Sequence, residues 1–206
     1  GAMNSIIDVL REAYQALGNE EYLEAARRGG DFFMISQGPE GYAAWTDQFD
    51  MNLQPAAGRT HEPASFQVRY TISTIYELEK LFLFTGDRRY LRPIPAALDW
   101  IESVIIGITD DGLPEFSKYY DPETNYPIIR EWMPEVNEEG YMKYRYTLDT
   151  TVIFVKYPGK LPIREQYEKV RDVAPGMERE LYNQLFFYRK TRQHETEEKD
   201  IMGLLH

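Results

Sequence analysis

The sequence predicts a mainly α-helical fold, a partial α/α toroid of helical hairpins with a small β region in its long loops. Three observations predict it. A segment of helical apolar period ends at a glycine and restarts at a capping residue, and it does so twice. Gly18-Asn19-Glu20-Glu21-Tyr22-Leu23 returns as Gly86-Asp87-Arg88-Arg89-Tyr90-Leu91, an offset of 86 − 18 = 68, and Asp31-Phe32 returns at the same offset as Asp99-Trp100. Each hairpin is followed by a long stretch without helical period. Two hairpins in register send those stretches out at one end, where a repeat architecture builds one cleft from distant sequence.

Taken in order, Asn4 or Ser5 can cap a first helix whose apolar positions Ile6, Val9, Leu10, Ala13, Tyr14 and Leu17 follow the helical period. Gly18 suits the left-handed position that ends it, and Asn19 caps a second helix from Glu20 toward Phe33 and Ile35, with Gly29-Gly30 as a weak point or break. In the second unit Pro63 suits the first turn of a helix that runs on through residues 66–84. Its partner spans about residues 89–106, with Pro93 and Pro95 disturbing the first turns. Residues 115–120 and 126–130 flank the turn cluster Asp121-Pro122-Glu123-Thr124-Asn125. Residues 141–146 alternate and residues 150–155 are β-branched, so a strand region lies over one end of the helices. Two shorter helices follow, about residues 163–173 and 177–189, separated by Pro175-Gly176. Gly1-Ala2-Met3 reads as a cleavage scar left by expression, residues 4–189 as the domain, and residues 190–206 as a polar tail.

Composition narrows the partners. Lys and Arg number 23 against 34 Asp and Glu, a net charge of −11, which argues against nucleic acid and anionic membrane. It equally opposes a polyanionic substrate, unless the site is locally basic or a cation bridges. The chain has no cysteine, which excludes disulfides and thiolate metal sites, and no apolar run near the length of a membrane span. Sixteen Tyr, ten Phe and three Trp exceed what core packing usually needs, and such rings can serve as sugar-stacking platforms.

The stretch from Gly41 to Ser65 carries the most information. Loops of about 25 residues without a period of their own are uncommon unless they serve a function. Trp45, Gln48 and Asp50, then Pro55, Ala57, Arg59, Glu62, Pro63 and Ser65, form the run W-T-D-Q-F-D … P-A-A-G-R-T-H-E-P-A-S. It resembles the W-x-Q-x-x-D … P-x-x-A-R-x-x-E-x-P-S run of family 10 pectate lyases. Tyr119-Tyr120-Asp121-Pro122-Glu123-Thr124-Asn125-Tyr126-Pro127 is similar to that family's F-Y-D-x-x-T-N-x-P segment, and Lys143-Tyr144-Arg145 falls where it holds further basic residues. The resemblance covers roughly residues 14–150, the C-terminal part of the family domain. An N-terminal helical region with acidic calcium-binding residues belongs to the family and has no counterpart here.

The resemblance implies a pectate (polygalacturonate) lyase that degrades uronate polysaccharide by β-elimination and is secreted or periplasmic. It implies Arg59 as the proton-abstracting base and Arg130 and Arg145 as groups that hold substrate carboxylates. A guanidinium suits a carboxylate better than an ammonium does. Carboxylate neutralisation matters because the proton removed sits beside that charge, and the charge opposes carbanion formation. Free guanidine is a weak base near neutrality, its pKa being above 12, which makes His61, two residues on, the alternative base. Trp45, Gln48, Tyr120 and Tyr144 are the expected further substrate contacts. Calcium is implied, with Asp47 and Asp50 as ligands and Glu62 and Asp121 as further oxygen donors. Two other readings stay open: a non-catalytic glycan-binding or scaffold domain derived from such a lyase, and a glycoside hydrolase whose best carboxylate pair is Asp47 with Glu62. The apolar stripe of the first helix (Ile6, Val9, Leu10, Ala13, Leu17) predicts a homodimer or a partner chain.

Overall fold

The structure, a computed structural model, describes residues 2–58, 62–110, 112–136, 142–147, 152–154 and 162–187. Over these residues it is mainly helical, with two small antiparallel sheets. The helices are α1 (Ala2–Leu17), α2 (Glu20–Ile35), α3 (Val68–Thr85), a 3-10 turn (Arg88–Leu91), α4 (Ile94–Ser103), α5 (Ile163–Arg171) and α6 (Glu178–Tyr182), the last running on through a π-type turn, Asn183–Phe187.

The sequence repeat is a structural one. Gly18 and Gly86 both adopt the left-handed conformation, at φ 69° and 74°, and donate to Tyr14 and Phe82 carbonyls at 2.8 and 2.7 Å. Only a residue without a Cβ takes that conformation at no steric cost. Asn19 and Asp87 then cap the returning segment, each accepting from the backbone N–H two residues on, at 3.0 Å in both. The far ends match as well. Ser36 donates to the Phe32 carbonyl and Val104 to that of Trp100, and 104 − 36 = 100 − 32 = 68.

Helix α3 is the central element, buried almost all round through Ile72, Ile75, Leu78, Leu81 and Phe82, with every other helix packed on it. Its buried acids are paired. Glu77 meets Arg11 of α1 at 3.2 Å and Lys80 at 3.1 Å, while Glu79 accepts from Gln166 of α5 at 2.6 Å. Arg11 also pairs with Asp8 and donates to the Tyr182 hydroxyl of α6 at 2.6 Å. Burial pushes the Glu77 carboxyl up, and Lys80 and Arg11 oppose that push.

Several expectations need correction. Gly29 and Gly30 do not break α2. A Cβ on Gly29 would meet Ile7 at 2.7 Å, and one on Gly30 would meet Leu81 at 2.5 Å, so the pair lets α1 and α3 approach closely. The third helix starts at Val68 rather than Pro63, because Phe66 is extended and exchanges two 2.9 Å backbone bonds with Tyr120. Long-range pairing overrides the helix-start signal of Pro63. Helix α1 takes in Ala2 and Met3, and Asn4 bonds the Ser73 carbonyl rather than capping.

The predicted strand at 115–120 divides at Lys118 into β2 (Pro114–Ser117) and β3 (Tyr119–Tyr120), which join different sheets. One sheet orders β1 (Gly107–Ile108), β2 and β6 (Val152–Phe154), and the other β3, β4 (Pro127–Val136) and β5 (Met142–Thr147). The expected tail at 190–206 lies outside the described residues.

Candidate functional site

The two long loops meet. Tyr42 of the first donates to the Glu123 carbonyl of the second at 2.6 Å, and Asn125 donates its amide to the Gly41 carbonyl at 2.9 Å. Trp100 donates to the other side of that Asn125 amide at 2.9 Å. Asn125 is held at φ 60° by a turn in which Asp121 accepts from the N–H groups of Glu123 and Thr124 and from the Thr124 hydroxyl. An asparagine tolerates that conformation, and an aspartate at the turn start satisfies its free amides. Those bonds hold the Asp121 carboxyl below the usual carboxylate range against the opposing effect of burial. Asp121 is therefore committed to its own turn.

Within the first loop, Phe49 bridges Pro55 and Gly58 bridges Glu62, with the Gly58 N–H donating to the Glu62 carbonyl at 3.0 Å. Gln48 braces this arrangement. Its carbonyl accepts from Ala56, and its side chain lies so close to Gly58 that a Cβ there would collide with it. Arg59 and His61, the two candidate bases, belong to residues 59–61 between that bridged pair, outside the described residues.

At the foot of the bridge sits a polar cluster. Asp47 accepts from Gln67 Nε2 at 3.1 Å and from the Tyr70 hydroxyl. Burial, and next the charge of Glu62, raise the Asp47 carboxyl above its ordinary value. Burial and Asp47 in turn raise the Tyr70 phenol. A carboxyl raised by burial and by a neighbouring charge marks a candidate functional position. Gln67 and Tyr70 were not expected from the sequence. They stand three apart, at the entry to α3 and in its first turn, and share a face only because the helix begins at Val68.

The arrangement has a consequence for stability. A carboxyl whose folded pKa is raised stabilises the fold below its unfolded pKa, and loses that contribution as pH rises through the folded value. Asp47→Asn should therefore raise the melting temperature at neutral pH, with the gain vanishing in acid below the ordinary carboxylate range. Thermal melts of both proteins across that range measure it. A gain that persists in acid would mean Asp47 is not held charged at a cost.

Other expected residues separate. Asp50 accepts from the N–H groups of Asn52 and Gln54 at 2.8 and 2.9 Å, and those bonds outweigh burial and lower its carboxyl, so one of its oxygens holds its own turn. Trp45 and Tyr120 are each 1% exposed, which leaves no ring face for a sugar. The Trp45 indole donates to the Phe33 carbonyl at 2.8 Å, and the Tyr120 hydroxyl donates to that of Val104 at 2.7 Å. Burial pushes the Tyr120 phenol up to about 12. Both rings pack the base of the loops.

Strand β4 pairs β5 with Arg130 opposite Tyr146, Glu131 opposite Arg145, and Trp132 opposite Tyr144.

Among the described residues no three His, Cys, Asp or Glu side chains gather into a metal-holding group. A cation held by Asp47 and Glu62 would take the rest of its shell from carbonyl, water or substrate oxygens. No family model matches the chain, and no curated protein matches it.

Proposed function

We propose that this protein is a pectate lyase-like enzyme that cleaves uronate polysaccharide by β-elimination on a partial α/α toroid. The supporting observation is the direct union of the two segments that carry the resemblance, through Tyr42 with Glu123 and Asn125 with Gly41. The Asp47–Glu62 cluster lies at the foot of the bridge that bounds Arg59. The 68-residue repetition of hairpin, cap and loop supports the toroid.

In this reading Arg59 takes the proton from C5 and the electron pair expels the C4 oxygen. Arg130 and Arg145 hold the uronate carboxylates. Two carboxylates beside the bridged pair oppose an anionic substrate. Calcium, if bound, would supply positive charge beside the substrate carboxylate. Asp47 and Glu62 are the residues that would hold it, with Tyr70 and Gln67 fixing the Asp47 carboxylate.

Polygalacturonate incubated with the protein and calcium at alkaline pH should develop the ultraviolet absorbance of an unsaturated uronide, and a chelator should abolish it. Binding without any product across a wide pH range would leave a glycan-binding or scaffold domain. The raised Asp47 beside Glu62 favours one further reading, a glycoside hydrolase with an acid and a carboxylate partner. New reducing ends without ultraviolet absorbance would establish that chemistry and exclude elimination.

A further inference from the structure

The turn that joins β3 to β4 is fastened on two sides by a single side chain. Asn125 stands at φ 60°. Around it the Asp121 N–H donates to the Tyr126 carbonyl at 2.9 Å, and the Asn125 N–H to the Asp121 carbonyl at 3.0 Å. The Asn125 amide oxygen accepts from the Trp100 indole at 2.9 Å, and its amide nitrogen donates to the Gly41 carbonyl at 2.9 Å. The first bond reaches the frame. Trp100 is 3% exposed and packs edge-on against Phe66 and Tyr120 at 6.2 and 5.6 Å, the two residues whose backbones pair ahead of α3. The second bond reaches the first long loop, where Tyr42 answers it by donating to the Glu123 carbonyl at 2.6 Å.

Few residue types meet these demands together. Glycine, asparagine and aspartate tolerate a left-handed backbone best. Of these, asparagine alone offers both an acceptor for an indole and a donor for a carbonyl, since glycine has neither and an ionised aspartate has no donor. The place of the joint matters as much as its chemistry. Strand β4 begins two residues on, at Pro127, and carries Arg130, while β5, paired with it, carries Arg145. The first loop carries Arg59. Strand β3, which flanks β4 opposite β5, is only two residues long, so little backbone pairing on that side fixes the hairpin. Asn125 thus ties the start of the arginine-bearing hairpin to the loop that bears the base.

We propose that Asn125 is a positioning residue for the elimination, setting the hairpin of Arg130 and Arg145 at a fixed distance from the first loop, an inference that rests on the lyase reading above. Substrate held by the arginines is presented to a base on the other segment. Slack at the joint misaligns the base and C5 without removing any substrate contact. A displacement of about 1 Å can cost about 10²-fold in rate, so the effect falls on kcat rather than on KM.

Asn125→Gly keeps the left-handed turn and deletes both bonds. On polygalacturonate with calcium it should lower kcat by roughly 10–100-fold and leave KM unchanged. Trp100 gives a second readout that needs no substrate. The chain has three tryptophans, and the indole N–H resonance that Trp100→Phe removes identifies its own. In Asn125→Gly that resonance should move upfield, as an indole losing its acceptor does, while thermal melting shows the variant folded at the assay temperature. Tyr42→Phe deletes the other bond of the joint without touching the turn. It should lower kcat in the same direction, and it keeps the proposal open to test if Asn125→Gly fails to fold. An active wild type with kcat unchanged in both variants overturns the positioning role and leaves the lyase reading standing. A raised KM at unchanged kcat also overturns it, because Asn125 would then be a binding contact. A loss of kcat with the Trp100 resonance unmoved overturns the route through the joint. A wild type that yields no unsaturated product sinks the lyase reading and this inference with it.

Discussion

Arg59→Lys is expected to lower turnover on polygalacturonate by roughly 10²–10⁴, the usual contribution of a positioned base, with little change in binding. Lysine keeps a positive charge beside the substrate, so ground-state attraction survives. It does not put a guanidine nitrogen at C5. The position is bounded tightly, because Gly58 and Glu62 are bonded across it and Gln48 fills the space that any Cβ at 58 would need.

His61→Ala is the control. If it abolishes turnover while Arg59→Lys stays active, the histidine is the base and the resemblance misassigns the role. Arg130→Ala should weaken binding and turnover together, since it removes a carboxylate contact made in ground and transition states alike. Arg145→Ala should do the same, since it is assigned the same role. A loss at one position and none at the other would remove the second arginine from the substrate.

Trp45→Ala should destabilise the fold by about 3–5 kcal/mol, the range for truncating a large buried aromatic. The indole does two things. Its ring fills the interior at 1% exposure, and its N–H bonds the Phe33 carbonyl, one of the last carbonyls of α2 that no helical amide reaches. Trp45→Phe separates them, keeping most of the packing and losing a bond whose absence leaves a buried acceptor unpaired, at about 1–3 kcal/mol. Chemical denaturation of the three proteins gives both numbers. If Trp45→Ala leaves stability unchanged and weakens only polysaccharide binding, the ring is a sugar platform after all.

The reach of sequence differs between these residues. Arg59, Gln48 and Asp47 were visible as members of a patterned loop, and the loop's union with the second segment followed from the repeat. The roles of Trp45, Tyr120 and Asp50 were not. An aromatic in a turn-rich stretch has the same one-dimensional signature whether it faces solvent or packs behind the loop. An aspartate two and four residues before free amides can serve a metal or its own backbone. Burial and hydrogen-bond geometry separate those cases, and neither is a local property of the chain.

By itself the sequence determined the helical hairpins, their glycine stops and their Asn and Asp caps, because each depends on residues within one turn of the chain. Gly18 and Gly86 are left-handed, and Asn19 and Asp87 accept the same amide, wherever the hairpins are placed. Tertiary structure decided the start of α3, where pairing of Phe66 with Tyr120 outbids a proline signal. It decided that Gly29-Gly30 serve close packing rather than a break. It also set Asp47 against Gln67, Tyr70 and the charge of Glu62, and it left Ile6, Val9 and Leu17 of α1 exposed. The reason is common to all four. A local signal is worth about 1 kcal/mol, whereas burial of a few side chains or one long-range pair of backbone bonds is worth more, so distant contacts settle what neighbours in sequence leave open.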